Sequence, residues 1–158
     1  MGNTKQIKSF LQSLTLGALA SSATLFTFTT SLPTWVLFLG WTSYFLLGKN
    51  VKSSLLVFIQ QLLGILLAIL IIAFGNFLVE KLGAIWFHLS VAIILTAVFY
   101  VTKLKTLNVL PAYFLGMIIW FGLNTTPTWE ETTKAGIALF AGFVFGWIND
   151  NLNKKLTR

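Results

Sequence analysis

The side chains able to do chemistry inside the long apolar stretches of this chain are few and uncharged: Thr42, Ser43, Gln60, Gln61, Ser90, Thr96 and the one histidine, His88. Hydroxyls and amides hydrogen-bond neutral solutes, whereas proton relays and ion-coupled pumps bury an ionisable group. The acidic residues Glu80, Glu130, Glu131 and Asp150 sit at the ends of apolar stretches, too scattered for a metal cluster. The absence of cysteine excludes disulfides and thiolate metal sites. No carboxylate pair, nucleophile beside a base or phosphate-binding glycine loop is present. That inventory argues against an enzyme and for no cofactor.

The neutral groups leave some roles open. Thr42 and Ser43 either offer hydroxyls to a solute or bond the carbonyls of their own helix. Gln60 and Gln61 are adjacent and cannot share a helix face, so at most one faces a path and the other suits an interhelical hydrogen bond. His88, near Trp86, reads as an interfacial polar tip or as a pH gate.

Two proline-led segments supply the strongest pattern. One reads PTWVLFLGWTSYFLLG from Pro33 to Gly48, the other PAYFLGMIIWFGLN from Pro111 to Asn124. Each contains Phe-Leu-Gly followed, after three residues, by an aromatic residue and Phe, at an offset of 76 in a chain of 158. On a helix Gly40 lies one turn from Tyr44 and Gly116 one turn from Trp120, leaving a niche for another helix or a solute. Phe38 aligns with Phe45, and Phe114 with Phe121. The expected lining of a solute path is therefore Phe38, Gly40, Thr42, Tyr44, Phe45, Phe114, Gly116, Trp120 and Phe121. Rings converging from both halves would pass small neutral or weakly charged molecules and refuse hydrated ions. The same residues also suit helix packing and lipid contact.

The elements that must position these residues follow from composition. Hydrophobic residues make up 56% and charged residues 9%, with mean hydropathy +0.84, against roughly 25% charged residues in soluble domains. An all-α integral membrane protein is predicted. Apolar stretches run over about 10–31, 34–48, 54–79, 84–102, 109–124 and 133–149. A helix needs roughly 20 residues to cross the hydrocarbon, so the second and fifth are short or interrupted spans. The N-terminus resembles a secretory signal, with Lys5, Lys8 and small residues over 18–23, but its apolar run continues to about Thr30 and is expected to be a retained helix.

Six spans with both termini cytoplasmic put Lys5, Lys8, Lys49, Lys52, Lys103, Lys105, Lys154, Lys155 and Arg158 inside and only Lys81 and Lys134 outside. The net charge of +7 thus reports membrane topology rather than nucleic-acid binding. Three spans per half is an odd number, so a duplicated half inserts upside down. The expectation is one transmembrane domain, 1–158, built as an inverted 3+3 repeat with halves at about 10–79 and 84–150. Gly64-x-x-x-Ala68 echoes Gly142-x-x-x-Gly146 at an offset of 78. The second stripe, extended by Ala138, either seams internally against the first or joins copies into a homo-oligomer with a separate path in each protomer.

Trp35 with Phe38-Leu39-Gly40-x-Thr42-x-Tyr44-Phe45, then Leu110-Pro111-x-x-Phe114-x-Gly116, and the glycines Gly136, Gly142 and Gly146 resemble a bacterial inner-membrane family known as domain of unknown function 1097. The resemblance covers about residues 10–150 and implies a small polytopic protein of the bacterial inner membrane, with no substrate attached. Two functions are expected from the residues: a channel or facilitator for a small neutral or weakly charged solute, or a non-transporting scaffold or accessory subunit working through glycine-rich helix faces.

Overall fold

Runs of Leu, Ile, Val and Phe longer than a strand can use, punctuated by proline, glycine and asparagine, fold into helices throughout. The computed structural model describes residues 2–157, with side chains over 5–156. It contains α1 (Gly2–Thr30), α2 (Thr34–Ser43), α3 (Val51–Leu82), α4 (Phe87–Val101), α5 (Leu110–Leu123) and α6 (Trp129–Thr157). A π-helical turn, Tyr44–Gly48, extends α2, and a 3-10 turn, Ala84–Trp86, leads into α4. No strand occurs among the described residues. Four helical stretches, Lys5–Thr30, Val51–Leu82, Ala84–Val101 and Trp129–Leu156, are long and apolar enough to cross a membrane. This is the pattern of a multi-pass membrane protein. The segments Thr34–Gly48 and Leu110–Leu123 are shorter, about 22 Å at 1.5 Å per residue.

Local chemistry sets the boundaries. Asn50 caps α3 by accepting the Ser53 N–H at 3.0 Å. Gly83, at φ +102°, ends the same helix in a conformation that disfavours other residues. Pro111 stands in the first turn of α5, where its missing N–H costs nothing, so the fifth segment is short rather than interrupted. The second segment does depart from regularity: the Lys49 N–H reaches back five residues to the Tyr44 carbonyl at 2.8 Å. Lys49 and Asn124, both left-handed at φ 67° and 46°, terminate the two short segments. They are 75 residues apart, whereas Gly40 and Gly116 are 76 apart. The wide turn takes up the odd residue.

Helix directions alternate along the chain. Thr27 meets Thr34 at 2.8 Å across the α1–α2 turn, and Ser43 meets Gln61, so α3 returns along α2. The Ser90 hydroxyl donates to the Ile71 carbonyl at 3.1 Å, bringing α4 back along α3. As a result Lys5, Lys8, Lys49, Lys52, Lys103, Lys105, Lys154 and Lys155 gather at one end of the bundle. Lys81, Lys134, Glu80, Glu130 and Glu131 lie at the other.

The main contacts join helices distant in sequence. α2 packs along α6 and α5 along α3, while α1 leans on α6 and α4 on α3. Both principal seams are backbone contacts between glycines. A Cβ on Gly142 would stand 2.8 Å from the Gly40 Cα, and one on Gly116 would stand 2.8 Å from the Gly64 Cα. Nothing larger than hydrogen fits at these positions. The expected seam of Gly142 against Gly64 is therefore corrected: a small residue marks a close approach without naming the helix that approaches. Gly146 is occupied too, by the Tyr44 side chain, whose Cβ would lie 2.8 Å from an added Cβ. With Ala138 fully buried, the α6 stripe is used within the protomer. The interior is filled by Val36, Ile65, Ile71, Tyr113, Ile119, Trp120 and Leu139, with Leu37, Trp41 and Ala23 forming a second cluster toward α1.

Candidate functional site

The two short segments do meet, but through faces other than the glycines. Trp35, at the start of α2, lies over Gly122, near the end of α5. The helices thus run antiparallel, and between them opens a cleft of about 510 Å³. The first segment lines it with Leu39, Thr42, Ser43, Leu46 and Leu47, the second with Leu110, Pro111, Phe114 and Leu115. Nearly all of that lining is hydrocarbon, and Thr42 and Ser43 are its two hydroxyl-bearing residues.

Behind Ser43 stands a buried amide. The Gln61 Nε2 donates to Ser43 Oγ at 2.7 Å, and both side chains are essentially sealed from solvent. The Gln61 Oε1 has no hydrogen-bond partner. An acceptor left bare in a low-dielectric interior costs about 1–3 kcal/mol, so a donor that reaches it is held firmly. Its neighbour Gln60 is committed: Oε1 accepts the Val109 N–H at 2.8 Å and Nε2 donates to the Leu56 carbonyl at 2.9 Å. Gln60 therefore caps the entry to α5, and the adjacent glutamines divide as their positions around the helix require. Thr96 bonds the Ala92 carbonyl of its own helix at 2.8 Å. His88 is exposed and meets only the edge of Phe87 among the rings, at 6.2 Å.

Of the residues expected along a path, Thr42 and Phe114 line the cleft. Gly40 and Gly116 are enclosed in the two seams, their niches filled by helix backbone. Tyr44 is buried against α6 and its hydroxyl donates to Asp150 Oδ2 at 3.0 Å. Trp120 is buried with its indole N–H unpartnered. Phe38 stacks on Trp41 at 6.1 Å and Phe45 meets Tyr44 edge-on at 5.3 Å. Both face a separate hollow shared with Leu16 and Ala20 of α1. Phe121 is half-exposed and lines neither. The four rings thus do not converge. At 100° per residue, Phe38 and Phe45 lie roughly 160° and 140° around the helix from Gly40. Burying the glycines in a seam necessarily turns those rings outward.

Ser43 and Gln61 stood out in the sequence as polar groups, and their partnership across α2 and α3 emerges only in the fold. The leucines of the cleft gave no signal, since leucine is equally at home against lipid. Among the described residues no group of three or more metal-ligating side chains occurs.

No curated protein and no solved structure matches the chain. A family model does match, over residues 13–154 and thus through all six helices. The chain belongs to the DUF1097 family, described as proteins of unknown function.

Proposed function

We propose that this protein is a facilitator for small neutral solutes in the bacterial inner membrane, acting without coupling ion, cofactor or covalent chemistry. In this reading all six helices cross the membrane, both termini are cytoplasmic, and the halves are an inverted 3+3 repeat. Support for the repeat comes from the paired seams: Gly40 on Gly142 and Gly116 on Gly64 exchange under the same offsets, 76 and 78 residues, that relate the sequence motifs. The lysines collected at one end support the orientation.

The solute would follow the α2–α5 cleft, where the twinned segments face each other. One observation carries this reading: a buried amide oxygen, Gln61 Oε1, left without a donor on the side chain that bonds Ser43, a residue of the cleft wall. A small molecule bearing N–H or O–H groups, such as urea or glycerol, satisfies such an acceptor, and the hydrocarbon walls deter ions. Copies of the chain are expected to associate with a path in each protomer, through a surface other than the α6 stripe. A scaffold working through glycine faces is the weaker reading, because those faces are already covered.

The test is stopped-flow permeability of proteoliposomes to urea, glycerol, ammonia and short carboxylates. Faster entry of a hydrogen-bonding neutral solute in the wild type, lost in Gln61→Leu, is the expected result. Permeability equal to that of empty liposomes for every solute, with folding verified by circular dichroism, would return the protein to the scaffold class.

A further inference from the structure

We propose that the groove between α3 and α6, at the lysine-rich end, is a binding site for one anionic diacyl phospholipid. The inference rests on three observations independent of the solute path. First, the groove holds a cavity of about 270 Å³ walled by Leu55 and Phe58 from α3 and Phe140, Val144 and Trp147 from α6. It exceeds the ~150 Å³ apolar cavity that stays dry in a protein interior and accepts hydrocarbon. Its floor is fixed by Phe58, whose ring lies 5.5 Å from Phe140 and 5.8 Å from Phe143. An acyl chain fits such a space.

Second, one polar residue stands in its wall. Ser54 lines the cavity, is 5% exposed, and its Oγ has no partner. Its Oγ packs against Gly48 and, rotated toward the cavity, would donate to the acyl ester of a glycerolipid, an acceptor at the depth where a chain leaves the headgroup.

Third, positive charge collects at that end of the two helices. Lys49 and Lys52 stand at the entry to α3 and Lys154 and Lys155 in the last turns of α6. The acidic group at that end of α6 is Asp150, which accepts from Tyr44 and is paired with Lys154. With Lys154 committed to Asp150, the charge of Lys49, Lys52 and Lys155 favours a phosphate. Trp147, half-exposed at the rim, is a residue type that settles at headgroup level. Basic pockets between membrane helices recognise anionic headgroups on this principle.

Native mass spectrometry of the full chain, released from detergent with added phosphatidylglycerol or phosphatidylcholine, tests the site. One phosphatidylglycerol should be retained at collision energies that strip phosphatidylcholine. Lys52→Gln with Lys155→Gln should lower the preference by about fivefold per lysine. Val144→Trp, directed into the cavity, should abolish retention of both lipids. Ser54→Ala, which keeps the packing, should weaken retention and carries the test should Val144→Trp not fold. Equal retention of the two lipids by the wild type overturns the proposal, as does undiminished retention by both cavity variants. A dimer mass in the wild type that disappears in Val144→Trp would assign the groove to a second copy of the chain instead.

Discussion

Gly40 on α2 and Gly142 on α6 touch through their backbones: a Cβ added to Gly40 would stand 3.2 Å from the Gly142 Cα and closer still to the Leu139 carbonyl. Gly116 and Gly64 make the same contact between α5 and α3. In lipid, where no hydrophobic force drives helices together, such approaches let dispersion between backbones supply the attraction.

Gly40→Ala and Gly116→Ala should each destabilise the protein by about 1–3 kcal/mol, the usual cost of overpacking. Combining Gly40→Ala with Gly142→Ala should cost clearly less than the sum, because the first methyl already parts the helices. Gly40→Ala with Gly116→Ala should add. Reversible unfolding in mixed micelles measures these variants beside Gly142→Ala alone, and simple additivity of Gly40→Ala with Gly142→Ala would show that the two glycines do not share a contact.

The adjacent glutamines should behave oppositely. Gln60→Leu strands the Val109 N–H and should cost about 1–3 kcal/mol, with hydrogen exchange accelerating over residues 109–113. Gln61→Leu removes one interhelical hydrogen bond, worth about 0.6 kcal/mol in membrane helices, and also removes an orphan acceptor. Its effect on stability should be close to nil while solute permeability falls. Unfolding and flux measured on the same preparations separate the two roles.

Much of the helix order was legible from residue types alone. Pro33 and Pro111 mark boundaries because each disfavours continuation of a preceding helix, and the lysines fall at one end because helix directions alternate. The glycine pattern announced close approaches but not their partners, since Gly142 can meet Gly40 or Gly64 equally well on steric grounds. The phenylalanines misled for a geometric reason already contained in the chain: Phe38 and Gly40 point to opposite sides of one helix. The Ser43–Gln61 pair was illegible because it depends on how α3 is rotated against α2, and a nearly uniform apolar surface does not encode that rotation.

Ring substitutions distinguish the surfaces. Phe114→Ala should open the α2–α5 cleft and relax selectivity among neutral solutes, because Phe114 lines it. Phe121→Ala should leave flux unchanged, since Phe121 is half-exposed and outside the cleft. Permeability ratios of urea to larger polyols provide the comparison. A larger effect from Phe121→Ala would move the path to another face.

The chain has no cysteine of its own, so single-cysteine labelling reads sidedness directly. Cysteines at Lys49 and Lys105 should react from one side of sealed vesicles and a cysteine at Glu130 from the other. Labelling of all three from one side would contradict the crossing of α5, the short helix that separates Lys105 from Glu130.

The pairing of α2 with α6 has a consequence for biogenesis. Ribosomes deliver α2 early and α6 last, so the Gly40 face leaves the translocon some hundred residues before the surface that will cover it. α5, by contrast, emerges with α3 already in place. The nascent protein must therefore hold a short helix with its glycine face uncovered until α6 has emerged. Loss of the last helix leaves the first half unfinished as well as the second.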